Sequence, residues 1–187
     1  MALSVLPPEI ILTILEQLPL ADLVRAERAC RMFQTFCHLE IERRITTGPL
    51  KDEWGVLIHL DQALAKPTRF NKATKQVTYS IAMDPVQIKT MYDHRRQIHC
   101  QLLRRHKAVY RYHEDFMFTI EKGMSQGHTI DIAAKGAALC QIRGALTRLP
   151  SSPDHQPDNK QTIAPPPLTY SLQVTELSLP LSTIAAQ

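Results

Sequence analysis

The 187-residue chain is 44% hydrophobic and 21% charged, a balance that excludes wholesale disorder. It has no apolar run long enough to span a membrane, and its opening MALSVLPPEI has no basic residue and is cut by Pro7, Pro8 and Glu9, so neither a transmembrane helix nor a secretory signal is expected. A net charge of +4 is too mild to define a nucleic-acid binder, and the four cysteines (Cys30, Cys37, Cys100, Cys140), with no C-x-x-C pair, read as free, mostly buried thiols of a cytoplasmic or nuclear protein.

Residues 6–45 predict three short helices. Pro7 and Pro8 suit a helix start, where a missing N–H costs nothing, and Glu9 favours the positive end of the helix dipole. Ile10, Ile11, Ile14, Leu15 and Leu18 recur at helical spacing until Pro19 stops the run. Leu20-Ala21-Asp22 turns into a second helix with Leu23, Val24 and Ala26, and a third helix from about Cys30 to Ile45 sets Phe33, Cys37, Ile41 and Ile45 near one face. Trp54, Leu57, Ile58, Leu60, Ala63 and Leu64 fit a fourth helix ending before Pro67. Lys75–Ile81 alternates Val77, Tyr79 and Ile81 with polar residues and reads as a single strand, with no convincing partner elsewhere.

Asp84-Pro85 is a good N-cap and N1 pair for a long helix, or two joined near Arg105, that carries Ile88, Met91, Ile98, Leu102, Val109, Tyr112, Phe116 and Ile120 up to Gly123. Ile132, Leu139, Ile142, Leu146 and Leu149 define a last helix, weakened by Gly136 and Gly144. Seven of the 13 prolines fall in 150–187 beside only four charged residues, which reads as a disordered proline-rich tail. A strand around Leu172–Leu181 (Leu172, Val174, Leu177, Leu179) is the one alternative there. The expected fold is therefore mainly α-helical: a three-helix domain at 3–48, a helical region with one possible strand at 49–149, and a disordered tail at 150–187.

The first helix is unusually apolar. At 100° per residue, Ile10, Ile14, Leu18, Ile11 and Leu15 cover about 140°, and Leu12 widens the arc to about 200°, twice the stripe that one small core needs. Excess apolar surface on a marginal helical unit points to a partner that covers it, with burial by residues 50–149 as the plainer alternative. The segment LPPEIILTILEQLPLADLVRAERACRMFQTF resembles an F-box. Leu6-Pro7 and Glu9-Ile10 match the family's opening, Ile14-Leu15 and Leu18-Pro19 its Ile-Leu and Leu-Pro pairs, Asp22-Leu23 its Asp-Leu, and Cys30-Arg31-Met32-Phe33 its Cys-Lys/Arg-x-aromatic. Ala29 stands where the family usually has Val, and Phe33 where it often has Trp. The rest is similar, more loosely, to fungal F-box proteins with a helical section before leucine-rich repeats, through Tyr112-His113-Glu114-Asp115 and Ala145-Leu146-x-x-Leu149-Pro150.

The resemblance implies a substrate adaptor of an SCF-type cullin-RING ubiquitin ligase, with no catalysis by this chain and no cofactor. It implies a Skp-type linker protein bound through Leu6, Pro7, Ile10, Leu15, Leu18, Leu23, Cys30 and Phe33, some of which serve the domain core instead, and a protein substrate of unknown identity on the remaining chain.

Residues 89–111 carry seven basic residues against Asp93 alone. A solvated helix face accounts for them; the functional version is an acidic or phosphorylated partner held by Arg95, Arg96, Arg104, Arg105 and Lys107. The alternative class is a small helical nucleic-acid-binding protein using this segment, because residues 6–45, with five arginines and six acids, would repel a phosphate backbone. His99, His106 and His113 share a helical face but stand about 10.5 Å apart along it, too far for one metal ion. The loop Gly123–Gly127 lacks the lysine of a phosphate-binding loop and follows no strand.

Overall fold

The three N-terminal helices form as the proline punctuation requires. In the computed structural model, which describes residues 6–48, 53–90, 96–106, 108–120, 130–133, 140–149 and 168–185, they are α1 (Pro8–Glu16), α2 (Leu20–Ala26) and α3 (Arg31–Thr46). Pro7 and Pro19 occupy the N-cap positions of α1 and α2, and extended Cys30 precedes α3. Ile11, Leu15, Leu23, Cys37, Ile41 and Ile45 close the helices on one another. The last carbonyls of α1 are met by a buried cation: Arg44 Nη2 donates to Leu15 O at 3.0 Å, which also accepts from the Leu18 amide, and to Glu16 O at 3.1 Å, while its Nε donates to Glu40 at 2.6 Å.

Beyond the helices the expectation of a mainly helical protein is overturned. The described chain forms a nine-stranded antiparallel sheet: β1 (Trp54–Ile58), β2 (Ala63–Asn71), β3 (Gln76–Ser80), β4 (Val86–Thr90), β5 (Arg96–His106), β6 (Val109–Ile120), β7 (Ile130–Ala133), β8 (Gln141–Arg148) and β9 (Leu168–Pro180), followed by the short helix α4 (Leu181–Ala185). The strands run in the order β6-β5-β1-β2-β3-β9-β8-β7. β4 pairs with the first half of β9, and β3 with its second half. The two end strands, β6 and β7, approach each other, so the sheet curls back on itself.

Each correction has a physical reason. The helix expected over Trp54–Leu64 is the β1–β2 hairpin: Trp54, Val56 and Ile58 are buried at every second position, and Gln62 turns at φ 52. The long helix expected from Asp84 is β4, β5 and β6. A spacing of four returns to the same face of a helix and of a strand alike, so Ile98/Leu102 fits both. Buried Cys100 lies midway between them, where only a strand keeps all three on one face. Ala108, at φ 70, sits in the β5–β6 turn. Of the last expected helix, Ile132 lies in β7 and Ile142 and Leu146 in β8, while Gly136 and Leu139 lie outside the described residues; Tyr112–Asp115 and Ala145–Arg148 lie in β6 and β8, so the likeness to a helical segment before repeats falls away there.

The strand read over Lys75–Ile81 is present as β3, and its missing partners are β2 and β9. The tail expected to be disordered thus supplies the central strand over Leu168–Pro180, with Val77 opposite Leu179; the rest of that tail, Pro150–Pro167, lies outside the described residues. Its alternation changes phase between Val174 and Leu177 because Thr175 is an extra residue, Arg143 pairing with Glu176 and Gly144 with Val174. Gly144 is required at this bulge, since a Cβ there would lie 2.3 Å from the Gln173 carbonyl oxygen. Gly144→Ala is expected to push β8 from β9 and to cost about 2–3 kcal/mol in urea denaturation, in the range of overpacking.

The helices sit on the sheet as one body. α3 packs on β2 and α2 on α4, within a buried apolar cluster that runs from Ile11 to Ile184. Glu27 bonds His38 Nε2 at 2.8 Å and Lys75 Nζ at 2.6 Å, and Lys72 pairs with Glu42 at 2.6 Å. The His38 ring meets Phe70 edge-on at 5.7 Å.

Candidate docking face on the first helix

The wide apolar arc of α1 is divided in two by the fold. Ile11 and Leu15 are 2% and 1% exposed and point into the core, whereas Ile10 and Ile14 are 48% and 47% exposed. By helical geometry the exposed pair is centred about 100° round the helix from the buried pair. One stripe therefore holds the domain together and the other faces solvent.

The eight candidate linker-binding residues separate accordingly. Leu6, Pro7 and Ile10 are exposed and lie together on or just before the solvent stripe of α1. Leu18 and Phe33 are half-buried against the core. Cys30 is exposed at the start of α3, away from α1 in sequence. Leu15 and Leu23 are buried in the core, where a partner would not reach them. Ile14 belongs with the exposed group although its matched pair, Ile14-Leu15, did not single it out; its place four residues after Ile10 was the available signal.

The basic segment is not the helix face that its charge run suggested. Adjacent residues of a strand face opposite ways, so Arg104 and Arg105 are parted across β5. Arg104 bonds Glu53 at 2.8 Å through Nη2 and lies 5.3 Å over the Trp54 ring, while Arg105 is exposed. Arg95, Lys107 and the loop Gly123–Gly127 lie outside the described residues, as does the Arg96 side chain. His99 stacks on His59, rings 4.4 Å apart and 9° from parallel, and its Nε2 meets Asp115 at 3.0 Å. Among the described residues no three His, Cys, Asp or Glu side chains are grouped to hold a metal ion. Burial pushes the thiols of Cys37 and Cys140 up to about 11 and that of Cys100 to about 12, so they stay protonated and inert.

A small helical domain that keeps uncovered aliphatic side chains on one helix, fused to an antiparallel sheet, has the build of a protein-interaction module. Residues 3–46, which span the three helices and none of the sheet, match the family model described as F-box-like, so the chain carries an F-box-like domain. F-box domains generally bind Skp-type linkers within cullin-RING ligases, and proteins of that family are typically adaptors rather than enzymes. No curated protein and no solved structure matches the chain.

Proposed function

We propose that this protein is a substrate adaptor of an SCF-type ligase, acting in the cytoplasm or nucleus. The α1 stripe of Ile10 and Ile14, with Leu6, Pro7, Cys30 and the half-buried Leu18 and Phe33, binds the Skp-type linker, and the sheet presents a protein substrate. The observation that carries this reading is the pair of isoleucines left half exposed on a helix whose own core is already filled by Ile11 and Leu15. Fully covering an aliphatic side chain of that size is worth about 1.5–3 kcal/mol, so a partner gains most where the fold has left it uncovered.

The test is a binding measurement between the full chain and a purified Skp-type linker. Ile10→Asp and Ile14→Asp are each expected to weaken binding about a hundredfold with unchanged circular dichroism, while Arg105→Glu leaves it intact. Binding that survives both aspartates would overturn the assignment of this stripe. The nucleic-acid alternative loses its helical form, because the described residues of the basic segment lie almost wholly in strands.

A further inference from the structure

The solvent face of the sheet carries a second feature, remote in sequence from the F-box-like domain. A polar cleft of about 180 Å³ crosses β2, β3, β9 and β8. The register builds its floor: Arg69 stands opposite Thr78, Thr78 opposite Ser178, and Ser178 opposite Gln141, one row across four strands. Arg69 and Gln141 are exposed and Ser178 half-buried on the face opposite the buried Phe70, Val77, Tyr79, Leu177, Leu179 and Ile142, while Thr78, 5% exposed, lies at the bottom of the cleft with its hydroxyl 3.4 Å from that of Ser178.

The charges are unequally satisfied. Arg143 pairs with Glu176 at 3.4 Å near the β8 end. At the β2 end the Arg69 side chain is exposed and makes no hydrogen bond or ion pair among the described residues. Two residues along the same face of β2, the carbonyl oxygen of Asn71 is taken by the Ala73 and Thr74 amides of its own turn, so the side chain offers N–H donors. Guanidinium and amide donors side by side suit a carboxylate. The floor between the ends is hydroxyl and amide, groups that both donate and accept, as a peptide backbone requires. Three steps of about 4.8 Å between strands make the cleft about 14 Å across, the reach of some four extended residues.

We propose that this cleft binds an extended acidic peptide, one carboxylate of which sits on Arg69 and Asn71 while its backbone runs over Thr78 and Ser178 towards Gln141. The proposal deepens the adaptor reading, on which its role in substrate selection rests. A nucleic-acid strand fits the site less well: among the described residues no aromatic side chain lines it for base stacking.

The test uses the full chain and a fluorescein-labelled octapeptide of alternating Glu and Ser, read by fluorescence anisotropy, beside its Gln-Ser counterpart and an eight-nucleotide oligothymidylate. The acidic peptide is expected to bind, the Gln-Ser peptide at least tenfold more weakly. Arg69→Ala is expected to lose about tenfold and Arg69→Glu all measurable binding, with thermal melts unchanged. Gln141→Glu, which puts a carboxylate at the far end without touching Arg69, is expected to weaken binding as well. Equal binding of the two peptides, full binding by Arg69→Glu, or no binding of the acidic peptide at millimolar concentration would overturn the proposal. Tighter binding of the oligothymidylate than of the peptide, lost with Arg69, would overturn it in favour of nucleic acid. The linker is assayed separately on the same variants. Peptide binding without linker binding would sustain the cleft and reject the adaptor role; linker binding without peptide binding would do the reverse.

Discussion

Leu15→Asp is expected to unfold the N-terminal helices at room temperature, whereas Ile14→Asp, one residue away, leaves them folded. Leu15 is 1% exposed and packed among Ile11, Leu23 and the apolar face of α3, so a carboxylate there is either desolvated without a partner or must be protonated. Either route costs several kcal/mol, added to the lost burial of the leucine, and the sum is comparable to the whole stability of a domain. Ile14 is half in water already, and a surface change of that kind stays within about 0.5 kcal/mol. Circular dichroism through a urea titration separates the two. A folded Leu15→Asp variant with near-normal midpoint would show that the core of the three helices has been misplaced.

The second large effect concerns the buried ion pairs. Glu40→Ala is expected to cost about 3–5 kcal/mol, because Arg44 is left buried with only the two α1 carbonyls to hold its charge. Glu27→Ala is expected to cost less, since Lys75 is half exposed and can turn into water. Burial by itself would raise both carboxyls, but the hydrogen bonds from Lys75 and His38 to Glu27, and from Arg43 and Arg44 to Glu40, outweigh it and hold both below the ordinary value of 4.5. A group held low in the folded state contributes stability that is present above its unfolded value and lost as the pH falls through its folded one. Stability should therefore decline as the pH drops below about 5, and the decline should be shallower in Glu27→Gln. A chemical-denaturation series from pH 7 to pH 3 reads both slopes; parallel curves for wild type and variant would refute the role of Glu27.

The helical third of the fold was legible because its signals are local. Pro7, Pro19 and the isoleucine and leucine spacing of α1 act within a few residues of one another, and the F-box motif spans the same stretch. The sheet was opaque for the opposite reason: its evidence is distributed. Val77, Tyr79 and Ile81 mark β3 by themselves but say nothing of its partners, and the weak alternation around Leu172–Leu179 is blurred by the bulge at Thr175. Elsewhere the spacing of four was ambiguous between periods, and Trp54, Val56 and Ile58 were diluted by Leu57 and Leu60 into a helical pattern. Of the candidate site, the motif named the residues but not which of them face solvent, and no spacing rule separates Ile10 and Ile14 from Ile11 and Leu15 until α3 is in place against one pair. The polar cleft was illegible altogether, since Arg69 and Gln141 meet only through two intervening strands.

The central place of β9 also sets the order in which the molecule can be made. Thr78 and its cross-strand neighbour Ser178 are 100 residues apart, so at translation rates of about 5–20 residues per second β3 waits some 5–20 seconds for its partner. Through that interval β3 and β4 offer an unpaired edge, with Val77, Tyr79 and Ile88 beside it still lacking the side chains that will cover them. A protein of this build is thus most vulnerable to aggregation while it is being synthesised. The expected signature is a nascent chain that stays protease-sensitive past β8 and becomes resistant only when residues 168–180 have cleared the ribosome.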